Sequence, residues 1–139
     1  MSADRLAQER SQVAGEIVGV SDIWLAAAHG KPYRVGARGP DAYDCWGAVR
    51  AFLASAGFGE VTSHTSGWKL LGSTVTAARK VGDVVLTDGP DARQGVAACV
   101  SVSPLRFVTS TPADGVHVVP ARSLADSTRA VYRWGKVKP

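Results

Sequence analysis

Residues 30–47 have the sequence GKPYRVGARGPDAYDCWG, and this stretch decides the fold of the 139-residue chain. It places Cys45 directly after the acidic residue Asp44 and just before a run of small and apolar residues that predicts a helix. The free N–H groups and the positive dipole end of a helix N-terminus stabilise a thiolate. The pattern is therefore typical of a nucleophilic cysteine, in which Gly47 would leave room for an acyl group, although a lone cysteine at a helix start is more often structural.

The size and composition of the chain indicate one globular domain. Its 139 residues can bury a proper core, and its hydrophobic content of 45% and charged content of 20% are near globular averages. No apolar run approaches the roughly 20 residues of a membrane-spanning helix. The charged N-terminus lacks the apolar segment of a secretory signal. We therefore expect a protein without a membrane span that is either cytoplasmic or delivered by an assembly that needs no signal peptide.

Charge, cysteines and histidines argue against several other classes of protein. The formal net charge of +4 is spread along the chain without a dense basic patch, so nucleic acid is not an expected partner. Two cysteines, Cys45 and Cys99, are too few for a disulfide framework, and the sequence alone does not decide whether they form a single disulfide with each other. The three histidines are scattered and show no metal-binding spacing, so we expect neither a metal nor another cofactor.

The first half of the chain has the periodicity of helices. Apolar residues at steps of three and four predict helices over residues 3–18, 22–29 and 45–56. Ser21 and Asp44 stand at the N-caps of the second and third helices, and Gly57 stands at the end of the third. Residues 59–80 are less regular, with a short helical piece predicted at 68–71. Residues 1–20 are predicted to be an extension that contacts a partner, and residues 21–139 to be the domain.

The second half changes to the period of strands. Alternating apolar residues predict five strands, over residues 81–87, 96–102, 105–110, 116–119 and 130–134. The short turns between them favour an antiparallel meander. Helices followed by strands predict an α+β domain, in which the helix after Cys45 packs on a five-stranded antiparallel sheet.

The stretch around Cys45 resembles the NlpC/P60 family of papain-like cysteine peptidases, which cut the peptide stems of bacterial cell wall. The usual serine after the cysteine is replaced by Trp46, and this D-C-W-G variant resembles the phage-tail branch of the family. Looser matches at residues 81–86, 115–120 and 131–134 extend the resemblance over residues 21–134. The positions that match the family's motif are Gly30, Pro32, Tyr33, Gly36, Gly39, Tyr43, Asp44, Cys45 and Gly47.

The resemblance implies roles for individual residues. Cys45 would be the nucleophile, and Tyr33 would line the site near the oxyanion. The base would be a histidine that opens a strand in a pattern like H-V-A, but Gly95 stands at that position. The residue that orients the base, in a pattern like F-x-H-A, is replaced by Thr109. Neither glycine nor threonine can take a proton from a thiol near neutral pH.

Three histidines could in principle substitute for the missing base. His64 lies in the loop after the cysteine helix and is the best placed of the three. His117 comes too late in the order of strands. His29 ends a helix, where a cation suits the helix dipole.

These observations lead to two main hypotheses of function. The first, which we favour, is a non-catalytic structural component of a phage tail tip, located in the virion and bound to other tail-tip proteins. It accounts for the missing histidine and for the D-C-W-G variant. The second is an active cysteine peptidase or amidase that opens peptidoglycan during genome entry, with Cys45 and a substitute base such as His64. A third, a small basic nucleic-acid or assembly module, rests on charge alone.

Overall fold

A computed structural model describes residues 19–59, 68–88 and 94–134 of the chain. Neither helix in these residues is long and apolar enough to cross a membrane. The predicted helix over residues 3–18 lies outside the described residues. Within them, the regular elements are the helices Gly19–Ala28 (α1) and Cys45–Ser55 (α2), and the strands Trp68–Gly72 (β1), Val84–Asp88 (β2), Gln94–Val102 (β3), Leu105–Thr111 (β4), Gly115–Pro120 (β5) and Thr128–Trp134 (β6).

The six strands form one antiparallel sheet in the order β1-β6-β2-β3-β4-β5. Strands β2 to β5 are the predicted meander, whereas β6 returns to lie between β1 and β2. The predicted count of five was wrong, because residues 68–71, expected to be helical, belong to the edge strand β1. Trp68 lies opposite Trp134 of β6 with the ring centroids 5.2 Å apart. This cross-strand contact outweighs the local preference of residues 68–71 for a helix.

Alternation along the strands gives the sheet two differently covered faces. The helix face packs on buried residues of α2, so the predicted α+β arrangement is confirmed. The far face is covered by residues 75–78 and 121–124. Strand residues of the helix face are Val84, Leu86, Val96, Ala98, Val108 and Val116, and those of the far face are Val85, Ala97, Cys99, Phe107 and Val131.

The ends of the two helices have local causes. Helix α2 begins at Cys45, as predicted, because the Asp44 side chain accepts a hydrogen bond from the free N–H of Gly47. It ends at the C-cap Ala56, and Gly57 follows with φ 92°, a conformation that favours glycine. Helix α1 begins at Gly19, so Ser21 lies inside it rather than at its N-cap.

Strand β2 begins later than predicted because the residues before it form a turn. The carboxylate of Asp83 accepts hydrogen bonds from the backbone N–H groups of Arg79 and Lys80, at 2.8 and 3.0 Å. It also accepts two from the guanidinium of Arg133 on β6, at 2.8 and 2.9 Å. One buried carboxylate therefore joins this turn to the neighbouring strand.

Candidate functional site

The loop before α2 folds back onto the start of that helix. The Asp44 carboxylate accepts hydrogen bonds from the backbone N–H groups of Gly36, at 3.0 Å, and of Gly47. Arg38 Nη1 lies 3.0 and 3.1 Å from its two oxygens. The backbone N–H of Asp44 donates to the carbonyl oxygen of Ala37 at 3.0 Å. This network fixes the first turn of α2, and with it the position of the residue that follows Asp44.

Gly47 lies where this loop crosses the helix. A Cβ atom at this position would overlap the carbonyl oxygen of Ala37 and lie 3.0 Å from Asp44 Oδ1. The sequence predicts that this glycine leaves room for an acyl group. The space is instead occupied by the chain's own loop, so close packing at this point requires a residue without a side chain.

The Cys45 thiol is half-buried at the N-terminus of α2 and contacts the start of β3. Burial is the largest influence on its pKa and raises it, and the negative charge of Asp44 raises it further. Hydrogen bonds from backbone N–H groups, chiefly that of Val96, favour the thiolate but do not outweigh burial. The pKa of Cys45 therefore lies above its ordinary value, and the thiol is protonated at neutral pH.

Val96 of β3 links the thiol to Thr109 of β4. Its carbonyl oxygen accepts a hydrogen bond from Thr109 Oγ1 at 2.8 Å, while its backbone hydrogen-bonds the sulfur of Cys45. The paired residues of β3 and β4 run from Val102–Leu105 to Ala98–Val108. The Thr109 hydroxyl adds one more hydrogen bond between the two strands after the Ala98–Val108 pair. Thr109, predicted to replace the orienting residue, is thus connected to the thiol through the backbone of a single residue, Val96.

Gly95, predicted to replace the base, lies on the far face of the sheet. Val96 packs on the helix face and Ala97 on the far face, so alternation places position 95 with Ala97. A Cβ atom at Gly95 would lie 2.7 Å from Oγ1 of its cross-strand partner Thr87. A side chain at position 95 would therefore point away from α2 and from Cys45.

The two histidines in the described residues lie away from the thiol. His117 is on β5 between two residues of the helix face, so it projects to the far face, and its Nδ1 lies 2.8 Å from the carbonyl oxygen of Gly115. His29 follows α1 and is exposed. His64, the predicted substitute base, lies outside the described residues. In the ranges that the structure describes, no group of three or more His, Cys, Asp or Glu side chains could hold a metal ion.

Two tyrosines lie in the loop before α2. Tyr33, predicted to line the site, is half-buried. Tyr43 is buried, and its ring covers Gly39 so closely that a Cβ atom there would overlap it. The carbonyl oxygen of Tyr43 accepts a hydrogen bond from Ser110 Oγ on β4 at 2.8 Å. Sequence reasoning missed Ser110, because nothing in the local pattern connects it to a residue 67 positions earlier.

Comparison with protein families gives a match to the NlpC/P60 family over residues 30–133. This range contains the capped helix, the loop before it and the strands that contact the thiol. No curated protein matches the chain in sequence.

Several solved structures share the fold. The NlpC/p60 domain of the peptidoglycan hydrolase SagA is 17% identical, with 81% of this chain and 94% of that chain covered and a TM-score of 0.60. NlpC1 from Trichomonas vaginalis is 17% identical, with 85% and 44% covered and a TM-score of 0.54. A protein of Staphylococcus aureus subsp. aureus Mu50, described as similar to lipoprotein of the NLP/P60 family, is 17% identical, with 86% and 41% covered and a TM-score of 0.58. The chain spans less than half the length of the last two, and such low identity establishes the fold alone.

Proposed function

The chain belongs to the NlpC/P60 family, and on that premise we propose that it is a non-catalytic member that serves as a structural component of a phage tail tip. The observation that carries the proposal is the environment of Cys45. Burial and the neighbouring carboxylate raise the pKa of its thiol, and no histidine in the described ranges faces it. A cysteine nucleophile reacts as the thiolate, which this environment disfavours.

The interactions around Cys45 favour a stable shape. The Asp44 carboxylate holds the loop to the helix, and Ser110 holds the same loop to the sheet. The hydroxyl of Thr109 is bonded to the backbone carbonyl of Val96. A missing general base typically costs a factor of about 10² or more in rate. The family's architecture is thus kept by contacts that need no reactive thiol.

The assignment to a phage tail is supported by the sequence after the cysteine. Trp46 stands where most family members have a small serine, and it is half-buried in the first turn of α2. A virion subunit needs a stable surface for its neighbours rather than a working catalytic pair. We propose other tail-tip proteins as its partners and the virion as its location.

An active peptidase that cleaves peptidoglycan is the alternative, and one observation favours it. The sulfur of Cys45 lies at a helix N-terminus with backbone N–H groups as hydrogen-bond donors. This is the environment in which a thiolate is stabilised once a base removes the proton. The proposed base would be His64.

Digestion of purified peptidoglycan separates the two functions. The intact chain is incubated with sacculi, and released fragments are measured by mass spectrometry, beside Cys45→Ala and His64→Ala variants. We expect the same background release from all three proteins. Release by the intact chain that is lost in both variants would overturn the non-catalytic proposal.

Immunogold labelling of phage particles tests the location independently. An antibody against this chain should label the tip of the tail in particles from producing cells. Particles assembled with the Cys45→Ala variant should keep their infectivity, because the proposed role needs no thiol. Particles that lack the chain altogether would overturn the structural assignment.

A further inference from the structure

A groove of about 380 Å³ opens between α1 and the helix face of the sheet. Its floor is apolar and comes from both helices and two strands, with Leu25, Phe52, Val100 and Val118 as its main residues. Its polar lining side chains are Asp22 and His29 on the α1 side and Arg106 on the sheet. The volume falls within the range of roughly 300–1,000 Å³ that is usual for ligand pockets.

The groove is separate from the Cys45 site. On α2, Phe52 lies seven positions after Cys45, which corresponds to about 10 Å along a helix. On β3, Val100 lies four positions after Val96, which corresponds to about 13 Å along a strand. A ligand in the groove therefore occupies the opposite end of α2 from the thiol.

Opposite charges face the groove from its two walls. Arg106 is exposed on β4, and Asp22 is exposed on the first half of α1. In the described part of the chain, neither side chain forms an ion pair or a side-chain hydrogen bond. A guanidinium without a partner beside an apolar floor is well suited to bind a carboxylate. Asp22 repels a carboxylate from the α1 side and can accept hydrogen bonds from N–H donors.

We propose that this groove binds the carboxyl-terminal end of a peptide chain that finishes in aliphatic residues. The terminal carboxylate pairs with Arg106, and the aliphatic side chains pack on Leu25, Phe52 and Val118. Backbone N–H groups of the peptide donate to Asp22. A fatty acid could pack on the apolar floor and pair with Arg106, but it has no N–H group to donate to Asp22. The two charged side chains together therefore favour a peptide over a fatty acid.

NMR titration of the isotope-labelled full chain tests this site with three probes. These are N-acetyl-Leu-Leu with a free carboxylate, the same dipeptide with a carboxamide, and decanoate. We expect the free carboxylate to shift the backbone signals of groove residues and to bind roughly tenfold more tightly than the carboxamide. Decanoate should bind more weakly than the free dipeptide, because it cannot donate to Asp22.

Variants locate the binding to the groove. Arg106→Ala should weaken binding of the free dipeptide roughly tenfold and remove its advantage over the carboxamide, while Arg106→Lys keeps part of it. Arg122→Ala, which removes an exposed arginine after β5, is the matched control and should bind normally. Val100→Phe should fill the floor and prevent binding, with thermal unfolding as the check that it folds.

Several results would overturn the proposal. Equal affinity for the carboxylate and the carboxamide, or normal binding by Arg106→Ala, would exclude the predicted pairing. Signal changes centred on the first turn of α2 would place the ligand elsewhere. Tighter binding of decanoate would assign the groove to a lipid-like acid rather than a peptide. If none of the three probes bound at millimolar concentration, the groove would not be a binding site for a peptide carboxyl terminus.

Discussion

Asp44 caps the helix that begins at Cys45, and its carboxylate opposes ionisation of the neighbouring thiol. It accepts hydrogen bonds from the backbone of Gly36 and Gly47 and pairs with Arg38, so it holds the loop to the helix. Burial is the main cause of the raised pKa of Cys45, and the Asp44 charge adds to it. The residue that builds the helix start thus makes its cysteine a poorer nucleophile.

The raised pKa of Cys45 predicts slow alkylation at neutral pH. Because the protonated form is favoured, the rate with iodoacetamide should increase as the pH rises and level off only above about 8.5, the ordinary thiol value. A Cys99→Ala background, in which only one cysteine remains, isolates the reaction for mass spectrometry. The urea-unfolded protein serves as the reference. A rate that levels off below pH 8 would contradict this prediction.

Removal of the neighbouring charge should make the thiol more reactive. Asp44→Asn keeps a side chain that can cap a helix but loses the negative charge, so the pKa of Cys45 falls. We expect alkylation at pH 8 to become several-fold faster. The free energy of unfolding should fall by about 1–3 kcal/mol, because the ion pair with Arg38 is lost and the single amide oxygen cannot accept from both Gly36 and Gly47. Asp41→Asn, in the same loop, is the control and should change neither quantity. An unchanged rate in Asp44→Asn would show that burial alone determines the pKa.

The ion pair between the buried Asp83 and the half-exposed Arg133 should contribute much more to stability. Arg133→Met leaves a buried carboxylate without its cation, and we expect a loss of about 3 kcal/mol in urea unfolding. The control is Arg129→Met, which breaks a pair with Asp88 that is exposed on both sides and should cost less than about 1 kcal/mol. Similar losses in both variants would contradict the predicted importance of burial.

The same pair predicts how stability depends on acid. Burial opposes ionisation of Asp83, but hydrogen bonds from Arg133 and from the backbone outweigh it and lower the pKa of Asp83. Its contribution is therefore complete above the unfolded value of about 3.9 and is lost as the pH falls through the lower folded value. Asp83→Asn should be less stable than the native chain at pH 7, and the difference should shrink below about pH 4. A difference that stays constant down to pH 2 would exclude this linkage.

Local features of the sequence were more predictive than contacts between distant residues. The cap at Asp44 and the helix start at Cys45 depend on adjacent residues, and both predictions were confirmed. Strand β1 was missed because its partner, Trp134, lies 66 positions from Trp68. The hydrogen bond from Ser110 into the loop before α2 is equally non-local. Assignment of residues to the two faces of the sheet likewise needed the observed register.

A histidine introduced at position 95 tests whether the position predicted for the catalytic base faces the Cys45 thiol. Gly95 lies on the far face, and its Cβ would approach Thr87 Oγ1 to 2.7 Å. We expect Gly95→His to lose about 1–3 kcal/mol of stability through overpacking and to leave the alkylation profile of Cys45 unchanged. A second substitution, Thr87→Ala, removes the overlapping oxygen and should restore part of the stability, again without changing the profile.

The double variant separates folding from thiol chemistry, because urea unfolding and alkylation are measured independently on the same protein. If alkylation of Cys45 in Gly95→His with Thr87→Ala shifts to lower pH, and peptidoglycan fragments are released, the imidazole must reach the thiol. That outcome would place the base position at residue 95 despite the alternation of β3. An unshifted profile in a stable double variant would instead mean that any base for Cys45 has to come from the helix face or from outside the sheet.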